Sequence, residues 1–227
     1  MGSKNKLQRF AENLTFDNLF QYNYEQLINL PFEYKGRWAR DFFKNDNPVV
    51  VELGCGKGEY TVGLAEKYPD KNFIGFDIKG ARLWKGLTIA RDKGLKNVAF
   101  VRTKIDHIGY FFDASELSEI WITFPDPQPR LSRSKKRLTS PLFLSRYRPL
   151  LAAGGLIHLK TDSRLLYDFT LETIKEMGLE PYFHDDDLYS NPNQLEVKEI
   201  RTFYEQIWLS QGLTIKYICF GFPKDEV

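Results

Sequence analysis

The segment Val49-Val50-Val51-Glu52-Leu53-Gly54-Cys55-Gly56-Lys57-Gly58-Glu59-Tyr60 limits what this chain can fold into more than any other. Three β-branched residues in a row suit a strand covered on both faces, which needs no polar alternation. Glycines at alternate positions then let the backbone turn sharply and approach a ligand where a Cβ would collide. Apolar residues recur at helical spacing from Glu59 to Tyr68, so the glycines join a strand to a helix. That unit opens a doubly wound sheet, with a nucleotide-type crevice at the carboxyl end of its first strand.

The loop also restricts the ligand. A dinucleotide fingerprint places glycines at relative positions one, three and six. Here the sixth place is Glu59, and Glu52 stands two residues before the first glycine. A carboxylate there repels a pyrophosphate and welcomes a cation such as the ammonium or sulfonium of S-adenosylmethionine. A second acid, Asp77, closes the next apolar run, 19 residues past Gly58. An acid at that distance reaches ribose hydroxyls from the tip of the second strand. The expected cofactor is S-adenosylmethionine, in a cradle of Glu52, Gly54, Gly56, Gly58 and Asp77.

Strands and helices alternate through the rest of the chain. After Asp77 a helix is expected over 80–93, then a strand from Val98 to Val101 and a short helix near Ile105 to Phe112. A fourth strand spans Ser118 to Thr123, followed by helix over 140–151, a turn at Gly154-Gly155 and a strand from Leu156 to Lys160. Thr161-Asp162-Ser163 caps a helix that Gly178 ends. Two further strands are expected near Glu180 to Phe183 and Leu213 to Phe220. The fold class is therefore α/β, Rossmann-like, with a mainly parallel twisted sheet and helices on both faces.

Residues 1–34 show poor periodicity and read as an N-terminal arm ordered only by docking or by a partner, leaving 35–227 as the methyltransferase domain. With 42% apolar and 15% aromatic residues in 227, the chain can bury a substantial core. No apolar run approaches the roughly 18 residues of a membrane span. Two cysteines and three histidines without ligand spacing argue against a disulfide framework or a metal site. His158 reads as a core or strand-edge residue and Asp185-Asp186-Asp187 as solvated. A cytoplasmic protein with no membrane or metal partner is expected, as monomer or homodimer.

The chemistry is expected after the fourth strand. Phe124-Pro125-Asp126-Pro127-Gln128-Pro129 breaks that strand with three alternating prolines, which stiffen the loop and deny it ladder hydrogen bonds. Asp126 sits at the strand tip, where such a sheet faces its cofactor. Other amino methyltransferases carry an Asn/Asp-Pro-Pro-aromatic motif here, so this chain serves a different acceptor. Next come Arg130, Arg133, Lys135, Lys136 and Arg137, five cations and no acid in eight residues. Beside a catalytic loop they point to nucleic acid, because they steer phosphates to the site.

Glu52-Leu-Gly-Cys-Gly-Lys-Gly58, Ile74-Gly-Phe-Asp77, Phe124-Pro-Asp-Pro127, Lys135-Lys-Arg137, Lys160-Thr-Asp162 and Thr202-Phe-Tyr-Glu205 together resemble the bacterial tRNA (guanine-N7-)-methyltransferase family. The resemblance runs from about Lys35 to the last strand. It implies methyl transfer to N7 of guanine in the tRNA variable loop, with Asp126 as the catalytic acid that also meets the cofactor. It further implies that Arg130 contacts the substrate, that Asp162 with Thr202, Phe203, Tyr204 and Glu205 contacts the substrate guanine or the cofactor end, and that Arg133, Lys135, Lys136 and Arg137 follow the RNA backbone. Departures exist: Gln128 replaces a tryptophan, Arg133 a histidine, and Lys104 falls where an acid usually meets the adenine amine, with Thr103 or Asp106 as substitutes. These three keep a noncatalytic RNA-binding module open as an alternative; the cations disfavour a small-molecule methyltransferase.

Overall fold

The computed structural model describes residues 3–223; Met1 and Gly2 of the expected arm and residues 224–227 of the expected domain lie outside the described residues. The chain divides into two compact units, one ending at Asp113 and the other beginning at Ala114.

The first unit runs α1 (Ser3–Asn13), β1 (Leu19–Gln21), α2 (Tyr24–Asn29), β2 (Val49–Leu53), α3 (Glu59–Lys67), β3 (Asn72–Asp77), α4 (Gly80–Asp92) and β4 (Val98–Arg102). Its strands lie in the order β1-β4-β3-β2, every pair parallel. All five residues of β2 are buried, as the valine run predicts. Phe100 on β4 explains much of the local glycine content. A Cβ at Gly58, Gly75 or Gly86 would stand 2.6 to 2.8 Å from its ring. The ring thereby draws α3, β3 and α4 together.

Residues 3–34 belong to this unit. β1 extends the sheet, pairing Leu19 with Phe100 and Gln21 with Arg102. Phe20 sits edge-on to Phe32, Trp38 and Phe42 at centroid distances of 5.5, 5.1 and 5.1 Å. Such pairs add about 0.5–1.5 kcal/mol each beyond area burial. The fully buried Trp38 opens a π-helical turn, Trp38–Phe43, and donates from Nε1 to Phe111 O at 2.9 Å.

The second unit runs β5 (Leu117–Thr123), α5 (Pro141–Tyr147), β6 (Leu151–Thr161), α6 (Arg164–Glu176), β7 (Phe183–Asp185), α7 (Phe203–Ser210) and β8 (Lys216–Gly221). Strand order is β5-β6-β8-β7, with β5 and β6 parallel and β8 antiparallel to both its neighbours. Two expectations need correction here. Gly154-Gly155 is no turn between elements but an irregularity inside β6: the register passes from Leu117↔Leu151 to Glu119↔Leu156. Gly154, at φ 79°, absorbs the extra residues. The strand expected over 180–183 begins only at Phe183, because Pro181 has no N–H to give a ladder.

His158 is buried on β6, stacked on Trp121 at 3.9 Å, with Nδ1 2.8 Å from the Tyr217 hydroxyl. Among the described residues no group of three or more His, Cys, Asp or Glu is placed to hold a metal, and no helix is long and apolar enough to cross a membrane.

Candidate functional site

In the first unit the carbonyl of Phe76 ties the glycine loop to the end of β3, accepting from Gly54 N at 2.8 Å and Cys55 N at 2.9 Å. Asp77 follows at once. Its Oδ2 accepts from Gly56 N at 3.0 Å and its Oδ1 from Lys79 N at 2.7 Å. Each carboxylate oxygen keeps a second lone pair, so the group is oriented and still able to accept from a diol. Glu52 is buried, and its Oε2 accepts from the Thr61 N–H at 2.8 Å and from the Thr61 hydroxyl. It therefore places a negative charge at the positive end of α3, beneath the loop. Burial, then the Glu52 and Asp77 carboxylates, push the Cys55 thiol well above its usual range.

The three glycines divide by role. Gly54 (φ 79°) and Gly56 (φ 57°) face open space: a Cβ at the first would meet nothing within 4 Å, and at the second only Gly54 O at 4.0 Å. Gly58 instead packs on Phe100, where a Cβ would stand 2.6 Å from the ring. This open cradle, flanked by two carboxylates, fits a cofactor that carries positive charge and a ribose. Past Asp77, Ile78 is 51% exposed and borders a cleft of about 520 Å³ that Tyr22, Tyr24, Thr103 and Lys104 also line. Lys104 is exposed; Asp106 is not part of that lining.

In the second unit, β5 ends in the proline loop. Phe124 N donates to Lys160 O at 2.8 Å, fixing the loop's entry. Asp126 is exposed, and its Oδ1 accepts from Gln128 N at 2.9 Å. Phe124 and Gln128 both take left-handed backbone, at φ 48° and 45°. Arg130, Arg133, Lys135 and Lys136 are exposed on or beside the 3₁₀ segment Leu131–Lys136, along with Leu131 at 84% exposure. Arg137, expected with Arg133, Lys135 and Lys136 along the RNA backbone, has different surroundings. It is 5% exposed, donates to the carbonyls of Pro127 and Gln128, and lies 4.3 Å over the Phe169 ring.

Thr202 and Glu205 form a capping box at the start of α7. Phe203 and Tyr204 are thereby presented outward, 49% and 45% exposed. Glu205, expected among the substrate contacts, is fully buried. Its Oε1 lies 2.7 Å from Lys160 Nζ and accepts from the Tyr189 hydroxyl at 2.6 Å. Lys160, also fully buried, donates further to Val197 O at 2.8 Å and Ile200 O at 3.1 Å. Burial pulls the Lys160 ammonium down against the opposing pull of Glu205, and burial followed by the Glu205 carboxylate raises the Tyr189 phenol. Asp162, half-buried one residue past β6, gives its carbonyl to Lys216 Nζ at 3.1 Å. Lys160, Tyr189 and Thr61 are not among the expected site residues; of the three, Lys160 stands in the Lys160-Thr-Asp162 motif.

A family described as "Putative methyltransferase" matches residues 46–218. The tRNA (guanine-N(7)-)-methyltransferase of Bacteroides fragilis is 51% identical over 98% of this chain and 87% of its own length. That of Christiangramia forsetii is 54% identical over 97% and 99%. Among solved structures, the 16S rRNA methyltransferase KamB superposes with a TM-score of 0.62 at 14% identity, over 81% of this chain and 92% of that one. At that identity the likeness speaks for the fold alone: α/β, with a mostly parallel sheet and flanking helices.

Proposed function

Since this chain belongs to the tRNA (guanine-N(7)-)-methyltransferase family, we propose that it transfers a methyl group from S-adenosylmethionine to N7 of a guanine in tRNA. The observation that carries the reading is the relation to proteins of that name over nearly the whole chain. Gly54 and Gly56 would let the loop approach the cofactor, Asp77 would accept from its ribose hydroxyls, and Glu52 would set a negative potential near its cationic end. When bound, S-adenosylmethionine supplies a methyl group activated by sulfonium charge.

Guanine N7 has a lone pair and no proton, so the chain needs no general base. Its task is alignment of the nucleophile, which is a matter of positioning. Asp126, exposed on a braced loop, accepts from guanine N1–H and the 2-amino group, the edge that other bases lack. Its charge also stabilises the positive charge arriving on the purine. Phe203 and Tyr204 offer aromatic surface for base stacking, and Arg130, Arg133, Lys135 and Lys136 meet phosphates. Glu205 acts at one remove, by holding Lys160 and the start of α7.

A tRNA carrying 7-deazaguanosine at the target position tests the nucleophile. It replaces N7 by C–H and leaves the N1–H and 2-amino edge intact. It is expected to compete with normal tRNA and accept no methyl group. Methylation of that residue would overturn the N7 assignment, and failure to methylate normal tRNA would favour a noncatalytic RNA-binding module.

A further inference from the structure

Arg137 closes a basic run, where each cation invites a phosphate. Its surroundings exclude that. A guanidinium that is 5% exposed is not placed to neutralise an RNA phosphate and release the counterions condensed there. Nε donates to Pro127 O at 3.1 Å and Nη2 to Gln128 O at 3.1 Å, while the plane rests on Phe169. A planar fork gripping two successive carbonyls fixes the orientation of both peptides, which a lysine's single point charge cannot do.

The first of those peptides decides the outcome. Its carbonyl, on Pro127, is held by Arg137, and its N–H, on Gln128, is held by Asp126 Oδ1 at 2.9 Å. The two side chains therefore grip opposite ends of one peptide plane. A cation at the carbonyl end polarises the plane and strengthens its N–H as a donor. Gln128 stands at φ 45°, a conformation that costs a non-glycine residue energy unless its surroundings impose it. We infer that Arg137 is a positioning residue for Asp126: it locks the Pro127–Gln128 peptide and, through it, the direction of the Asp126 carboxylate. This rests on the reading of Asp126 as the group that meets guanine.

Single-turnover methylation, cofactor and tRNA affinities, and the salt dependence of tRNA binding are compared for Arg137→Lys, Arg137→Ala and Asp126→Asn. Arg137→Lys, which keeps charge and bulk, is expected to lose about tenfold in rate and Arg137→Ala about a hundredfold, the order of one misplaced electrostatic group. Both affinities and the salt slope should stay as in the wild type. Guanidinium at low millimolar concentration should restore part of the rate to Arg137→Ala and none to Asp126→Asn. A salt slope lowered by roughly 0.7–0.9 in the Arg137 variants would make Arg137 a phosphate contact and overturn the inference. Wild-type rates in folded Arg137→Lys beside a slow Asp126→Asn would overturn it alone. A wild-type rate in Asp126→Asn would overturn it together with the reading of Asp126.

Discussion

The loops after β2 and β5 solve the same backbone problem with opposite materials. Each must leave a strand through left-handed conformations. The first does so with Gly54, Gly56 and Gly58, which carry no side chains, and it keeps open space over two of them. The second does so with Phe124 and Gln128, and stiffens itself with prolines, the Asp126 turn and the Arg137 fork. Left-handed backbone costs a non-glycine residue about 1–2 kcal/mol, so the second loop stands only because other groups hold it. A loop that admits a ligand does best without side chains; a loop that presents one must brace it.

The strongest way to break this contrast is to remove the buried charge that supports the second unit. Glu205→Gln leaves the fully buried Lys160 ammonium without its counter-charge, and should cost about 3–5 kcal/mol of stability in denaturant unfolding. Adding Lys160→Met to it should recover much of that loss. A stability change under 1 kcal/mol would return Glu205 to a direct substrate role.

Asp126→Asn alters the presented group itself and little of its support, since the amide oxygen can still accept from Gln128 N–H. Single-turnover methylation should fall by about 10²-fold or more, with cofactor and tRNA affinities near the wild type. An unchanged rate would reduce Asp126 to a turn residue.

Asp77→Ala is the corresponding test in the first unit. The expected loss is one charged acceptor, about 1.5–3 kcal/mol, read by calorimetry as weaker S-adenosylmethionine binding with tRNA affinity unchanged. Native cofactor affinity would displace the proposed ribose contact.

The smallest effects come from exchanging the two devices. Gln128→Gly removes left-handed strain and adds glycine's entropic cost of about 0.5–1 kcal/mol, so stability should change by less than about 1 kcal/mol. Gly54→Ala gains strain and fills the cradle, so it should lose both stability and cofactor affinity. Equal responses to both exchanges would erase the distinction between an open loop and a braced one.

Periodicity, turn residues and motif spacing by themselves determined the α/β class, the strand–glycine–helix opening, Asp77 at its strand tip and Asp126 in a proline-stiffened loop. These are local properties, set by which side chains suit buried strands and which backbones demand glycine. What tertiary structure alone decided is where each polar group finds its partner. Arg137 and Lys136 are neighbours in one basic run, yet one turns in to loop carbonyls and the other stays in solvent. Gly58 belongs to the same glycine series as Gly54, yet a ring from β4 claims it. Glu205 reads as an exposed motif acid until Lys160, 45 positions earlier, meets it in the core. The arm's aromatic residues have no helical or strand period because their partners are set by the fold: Phe20 meets Phe32 and Trp38, and Tyr22 meets Phe111. Partnership across such distances depends on which residues the folded chain brings together, and no local pattern records it.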